Sequence, residues 1–380
     1  MDAPAQHAFL PPSGAAAWVV CALWPTMNAR YPKPPTQAAL EGEASHWAFY
    51  EIFYGRPVAV GQVAANGVTL NEEMIDGAQV FVDQVDEDLA ACGLDRSHLR
   101  VEVRVYMPHI HAHNWGTPDV WFYDPTRGAL YVYDYKFGHM FVDAYKNWQC
   151  ADYASGILES FGLNGLQEQH IRVVIHVVQP RNYDRAGPVR RWEVVASDLR
   201  AFTNTLTSAA NAAMLATPPA KVGDHCEFCP GRHACNTLQR AAYKAAHMSA
   251  EAQPYDLPPE ALVLELDMLE RSQNALEARV SGLREEVETR AKLKGERMPG
   301  WRIEDTFGRQ TWRRPAEDII AMGSMLGLTL GKPGVLTPLQ AQKAGLPEAL
   351  VEEYSHRPRI GVKLVRDDGT AANKVFGKRS

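Results

Sequence analysis

The chain has 380 residues, 46% of them hydrophobic, and a formal net charge of −6, enough material for one large or two moderate domains with a buried core. Its longest apolar runs, of about ten residues, are too short to span a bilayer. The opening MDAPAQHAFLPPSG has no positive charge ahead of its apolar run, so a secretory leader is not expected. The expectation is a cytoplasmic protein with no membrane partner.

In chain order, residues 36–54 read as a helix carrying His46 on one face. Residues 71–92 read as an amphipathic helix opened by an Asn cap at Asn71. The alternation in RVEVRVYM predicts a strand over 100–107. VWFY and LYVYDYK are β-rich runs separated by DPTRG, a turn sequence, and predict a hairpin centred near residue 126. A helix is expected from about 143 to 161, and IRVVIHVVQP reads as a strand buried on both faces. Another helix is predicted over 197–215, opened by Ser197 and Asp198.

MSAEAQPYDLPPE then reads as a hinge. Beyond it Leu262, Leu266, Leu269, Leu276, Val280, Leu283 and Val287 recur in steps of four and three, with Gln273 filling one slot. That stripe fits a long helix packed on its own domain or a dimeric coiled coil. GWRIEDTFGRQTWRRP reads as a small hairpin around Phe307 and Gly308, and 315–356 as short helices.

Three fragments carry the chemistry: WGTPDVWFYD, LYVYDYKFG and NWQCADY. In the predicted hairpin Asp119 falls opposite residue 133 or 134, and directly opposed side chains are about 5 Å apart. Asp134 and Lys136, two apart on one strand, share a sheet face. Gln149 and Tyr153, four apart, share a helix face. Two carboxylates this close repel unless a cation joins them, and hard cations such as Mg²⁺ prefer carboxylate oxygens. Each fragment alone is common; their order and spacing give the joint reading, a divalent-metal site that cuts phosphodiester bonds.

The six cysteines are Cys21, Cys92, Cys150, Cys226, Cys229 and Cys235, three of them crowded into HCEFCPGRHAC. Such spacing reads as metal binding. Zinc could be closed locally by His225 or His233. An iron–sulfur cluster wants a fourth thiolate, for which Cys21 is the candidate. Cys92 reads as a helix-end cysteine and Cys150 as buried packing. Nucleic-acid binding needs local basic surface; Arg181, Arg185, Arg190, Arg191, Lys374, Lys378 and Arg379 are the candidates.

These fragments resemble the PD-(D/E)XK nuclease superfamily, RecB-type branch, whose pattern of G-x-x-D, D/E-x-K and Q-x-x-x-Y is matched at Asp119, Asp134, Lys136, Gln149 and Tyr153. The branch has an upstream helix with a metal-binding His, which EGEASHWAFYE matches at His46, with Glu51 nearby. One cysteine before the core and three after it are similar to the iron–sulfur nucleases of AddB-type and CRISPR adaptation. The arrangement also resembles an uncharacterised phage and prophage family.

The resemblance implies an α/β fold with an αβββαβ core, and a 4Fe–4S cluster on Cys21, Cys226, Cys229 and Cys235 in preference to Zn²⁺. It implies Mg²⁺ or Mn²⁺ on His46, Asp119, Asp134 and the carbonyl of Tyr135. DNA would be the substrate, with a recombination or annealing protein as an implied partner. The expected layout is a cluster-bearing nuclease domain over 1–245, a linker over 246–259 and a mostly helical C-terminal region over 260–380.

Overall fold

A computed structural model describes residues 8–162, 169–182, 187–248, 258–307, 310–330, 336–356 and 358–366. The chain divides into two compact units, Met1–Arg279 and Val280–Ser380. This division falls within a long helix, apart from the composition change at 246–259, of which residues 249–257 lie outside the described set.

The first unit opens with two short helices, α1 (Ala15–Trp18) and α2 (Trp24–Arg30). Next come α3 (Gln37–Phe53), capped by Thr36, and α4 (Glu72–Cys92), capped by Asn71 and ended by Gly93 in the left-handed conformation at φ 70°. Five short or medium strands follow: β1 (Arg100–Val101), β2 (Val105–Tyr106), β3 (Trp115–Gly116), β4 (Val120–Asp124) and β5 (Ala129–Tyr135). Helix α5 (Trp148–Ser160) leads to β6 (Arg172–Val178) and β7 (Val189–Val195). The unit ends with α6 (Arg200–Ala213), α7 (Asn236–Met248) and most of α8 (Pro259–Leu293).

The protein is of mixed α/β class. Its main sheet has the order β1-β4-β5-β6-β7, with every pairing antiparallel except β5 with β6, which is parallel. Parallel neighbours need a crossover, and α5 lies in that connection. Every residue of β5 is buried, and all of β6 after Arg172, as central strands covered on both faces require. The period of two sorts the side chains. Leu130 and Val132 pack toward α1, α5 and α6, while Tyr131, Tyr133 and Tyr135 pack toward α3 and α4. Asp134 and Lys136 continue the first series and so face α5.

The predicted strand over 100–107 is broken. Its two ends pair in different sheets, β1 with β4 and β2 with β3, because Glu102 takes φ 49° and turns the chain. Helix α5 begins later than expected, where the Asn147 side chain accepts from the Cys150 amide.

The second unit holds β8 (Trp301–Phe307), β9 (Thr311–Trp312), α9 (Ala316–Met325), α10 (Pro338–Lys343), α11 (Glu348–Tyr354), β10 (Ser355–His356) and β11 (Arg359–Arg366). The hairpin expected around Phe307 does not form: β8 pairs with β11 and β9 with β10, both with late segments of the chain. Ile319, Leu330, Ala341, Leu346 and Val351 make its small core.

Candidate active site

The β4–β5 hairpin pairs Val120 with Tyr133, and one further step brings Asp119 beside Asp134 at the end of the strands. The turn is set by Asp124, whose Oδ1 accepts from the amides of Thr126 at 2.8 Å and Arg127 at 3.1 Å. Asp119 is fixed at both oxygens. Oδ2 accepts from the Tyr135 amide at 2.6 Å, and Oδ1 lies 3.3 Å from Nδ1 of His46 on α3. Burial raises the Asp119 pKa, but the facing His46, the Lys136 ammonium and the Tyr135 amide outweigh it and hold the carboxyl below its usual value. Burial likewise opposes charge on His46, and Asp119 prevails, raising its pKa.

Asp134 is 3% exposed. Its Oδ1 accepts from Lys136 Nζ at 3.0 Å and from Gln149 Nε2 at 2.8 Å, and Lys136 Nζ also donates to Gln149 Oε1 at 3.2 Å. The three side chains thus close a ring across β5 and α5. Oδ2 of Asp134 is buried and has no hydrogen-bond partner. Burial raises the Asp134 pKa despite the lysine. For Lys136 burial works against the charge, and Asp134 more than offsets it, so the ammonium is favoured.

Tyr153 takes a different position from Gln149. Its hydroxyl donates to the Thr117 carbonyl at 3.2 Å, bracing the turn that presents Asp119. Gly116 allows this approach, since a Cβ there would lie 2.9 Å from the Tyr153 ring. The Tyr135 side chain points to the opposite face, its hydroxyl 2.7 Å from Ser45 Oγ, so Tyr135 reaches the acids through its backbone. Cys150 is fully buried, and burial pushes its thiol well above the ordinary range.

Glu102 was not marked by the sequence. Its amide donates to the Asp119 carbonyl at 2.9 Å, and its carboxyl is pushed up, first by burial and then by Asp119, against the pull of His46. The regular alternation of Val101, Val103 and Val105 with charged residues gives no sign of the break at this position. With His46, Lys136, Trp47, Tyr50 and Asn66, Glu102 lines a cleft of about 880 Å³. Glu51 also lines it and is held by Arg56 at 2.8 Å.

The far cysteines meet the N-terminal segment. The thiols of Cys226 and Cys229 are raised by burial first, Cys229 to about 11, with added repulsion from Cys21 and Cys235. Tyr31, the residue that ends α2, meets the His233 ring edge-on at 4.6 Å, and a Cβ at Gly231 would lie 2.7 Å from the Met27 sulfur. His225 sits 3.7 Å from Cys226 Sγ, with its Nε2 also 2.9 Å from the Lys221 carbonyl. Cys92 lies elsewhere, 3.5 Å from the Tyr131 hydroxyl. Among the described residues no group of three or more His, Cys, Asp or Glu side chains forms a ready-made metal site.

The arginines proposed as basic surface are largely engaged. Arg190 is buried, donating to Gln179 at 3.0 Å and Asn182 at 2.9 Å. Arg181 pairs with Glu73 at 3.1 Å and Glu41 at 3.7 Å, and Arg191 with Glu193 at 2.6 Å. Arg185, Lys374, Lys378 and Arg379 lie outside the described residues. Among those residues no helix is long and apolar enough to cross a membrane.

Fold and site together define a mixed α/β protein with a five-stranded mixed sheet and an acid–lysine–glutamine cluster at the end of its central strand. The chain belongs to the family described as "Protein of unknown function (DUF2800)", whose model matches residues 7–322.

Proposed function

We propose that this protein is a metal-dependent deoxyribonuclease of the PD-(D/E)XK type, RecB-type branch, acting on DNA ends in recombination or DNA processing. The observation that carries the reading is the ring of Asp134, Lys136 and Gln149 beside the Asp119–His46 pair. The unpartnered buried Oδ2 of Asp134 fits a divalent cation, since two carboxylates and a carbonyl are the oxygen donors that Mg²⁺ or Mn²⁺ selects. Asp119, Asp134, His46 and the Tyr135 carbonyl would hold it. A bound cation would polarise the scissile phosphate and offset charge on the leaving oxygen.

The chain's own groups account for the rest. Lys136, kept charged by Asp134, is suited to hold a phosphate oxygen and orient the attacking water by donating hydrogen bonds. Gln149 fixes the lysine's position. Tyr153 acts at one remove, through the turn before Asp119. The all-thiol set of Cys21, Cys226, Cys229 and Cys235 fits a 4Fe–4S cluster; zinc, with His225 beside Cys226, is the alternative. The cluster, through Cys21, would join the first helices to the far end of the sheet domain; a zinc site closed by His225 would brace the 225–235 segment alone.

The test is digestion of linear duplex DNA with Mg²⁺ or Mn²⁺. Wild-type protein should shorten it, while Asp134→Ala should be inert and still folded. Equal cleavage by the wild type and Asp134→Ala, or none by the wild type in either metal, overturns the proposal. Cleavage of covalently closed circles would make it an endonuclease on the same chemistry.

A further inference from the structure

Along α3 a row of aromatic side chains leads away from His46. Trp47 and Tyr50 are half-buried and line the 880 Å³ cleft that also contains His46 and Lys136. Tyr54, one turn on, is 54% exposed, and its ring lies 4.7 Å from that of Tyr50. Helical spacing puts these rings on one side of the helix. Arg56 stands over Tyr54 at 5.5 Å.

Resting on the nuclease reading, we infer that this cleft takes a single-stranded DNA end, with Trp47, Tyr50 and Tyr54 as a stacking platform for bases next to the bond to be cut. The cleft's charge selects the contact. Glu43 and Glu51 line it, and Arg56 is already paired with Glu51 at 2.8 Å. A phosphate backbone laid along this wall would meet carboxylates, whereas bases would meet ring faces and the polar pair of Asn66 and Glu43, 3.3 Å apart. Stacking tolerates any base, as an enzyme consuming ends of varied sequence requires. The cleft's size is that of a small-ligand site, suited to a few nucleotides of one strand and not to a duplex.

The experiment measures binding of labelled oligothymidylate to the full chain with Ca²⁺ replacing Mg²⁺. Trp47→Ala and Tyr50→Ala should each weaken binding about five- to a hundredfold, the range expected for loss of one stacked base. Trp47→Phe should stay near wild type. Tyr54→Ala, at an exposed position, should weaken binding without changing the melting temperature, which separates stacking from misfolding. The salt dependence should be shallow, with a logarithmic slope between zero and about −2, as for fewer than three phosphate contacts.

Wild-type-like binding by folded Tyr50→Ala and Tyr54→Ala proteins, or no oligothymidylate binding by the wild type, overturns the inference. Digestion of both linear duplex and the same oligothymidylate by these proteins, with Mg²⁺ or Mn²⁺ restored, separates it from the nuclease reading. Ring-dependent binding without any cleavage sinks the nuclease assignment alone. Cleavage without ring-dependent binding sinks the platform alone.

Discussion

Asp152 lies one turn from Gln149 on α5 yet faces the interior, fully buried, with Asn114 Nδ2 donating to it at 2.9 Å. Burial pushes its carboxyl up to about 8, and the Asn114 bond offsets little of that. In the unfolded chain the group ionises near pH 4, at about 3.9. Between about pH 4 and 8 the folded state therefore binds the extra proton, and stability falls as pH rises through this window. Asp152→Asn should remove that slope and stabilise the fold at pH 8 by about 1–3 kcal/mol, with little change at pH 4. Urea melts of both proteins at the two pH values check this, and parallel profiles would refute a neutral Asp152. For Lys136→Ala, DNA cleavage should slow by about 10²–10⁴-fold, as for loss of one acid–base or charge-stabilising group; a rate within twofold of wild type would remove the lysine from the mechanism. Asp134 and Lys136 were readable because a strand's period of two leaves no choice of face. The separate job of Tyr153 was not, because a four-residue spacing gives the helix face and not the hydroxyl's partner. Glu102 was hidden by a backbone angle that its neighbours do not announce.

The loop after β5 shows how one side chain can organise an element. Gln179, fully buried, donates to the carbonyls of Gly138 at 2.7 Å and Met140 at 2.6 Å and accepts from the Val142 amide at 3.2 Å and Arg190 at 3.0 Å. This holds the segment that follows Lys136 and carries the exposed Met140 and Phe141. Gln179→Leu should remove all four bonds, leave the buried Arg190 short of a partner and cost about 2–4 kcal/mol. Hydrogen exchange at residues 138–142 should speed up well before that in β6; unchanged protection there would show that the loop holds without Gln179. The same contacts explain why β7 escaped the sequence: its arginines suggested solvent, but Arg190 is consumed inside. Helices α3 and α4 and the β4–β5 hairpin were legible because their caps, apolar period and turn residues agree. The pairing of β8 with β11 was not, since partners far apart in sequence leave no local mark. On α8 the leucine stripe was legible but not its use: Leu262, Leu266 and Leu269 are more than half exposed, while Ala275 and Ala278 pack beside Leu238 and Cys226.

For the molecule as a whole, the approach of Cys21 to the 226–235 segment closes a loop that holds the whole main sheet. Anaerobically purified protein should be brown, with broad absorbance near about 400 nm from thiolate-bound iron. Cys21→Ser should lose the colour and lower the melting temperature of the unit, whereas Cys92→Ser should do neither. Colourless protein with one zinc per chain, retained in Cys21→Ser, would replace the cluster with a local zinc site and leave the nuclease proposal standing. The nearness of Cys21 to this segment was suggested only by its lone place before the core; the packing of Met27 and Tyr31 on the segment's glycine and histidine carried no sequence signal. The loop also orders events in time. Asp119, Asp134 and Lys136 share one hairpin and are made together. Cys21 leaves the ribosome about 200 residues before its partners, an interval of about 10–40 s at ordinary synthesis rates. Through that interval its thiol is open to oxidants and stray ions. On the cluster proposal, the cysteines should therefore be where newly made chains go astray in aerated, overproducing cells, well before any fault reaches the acids.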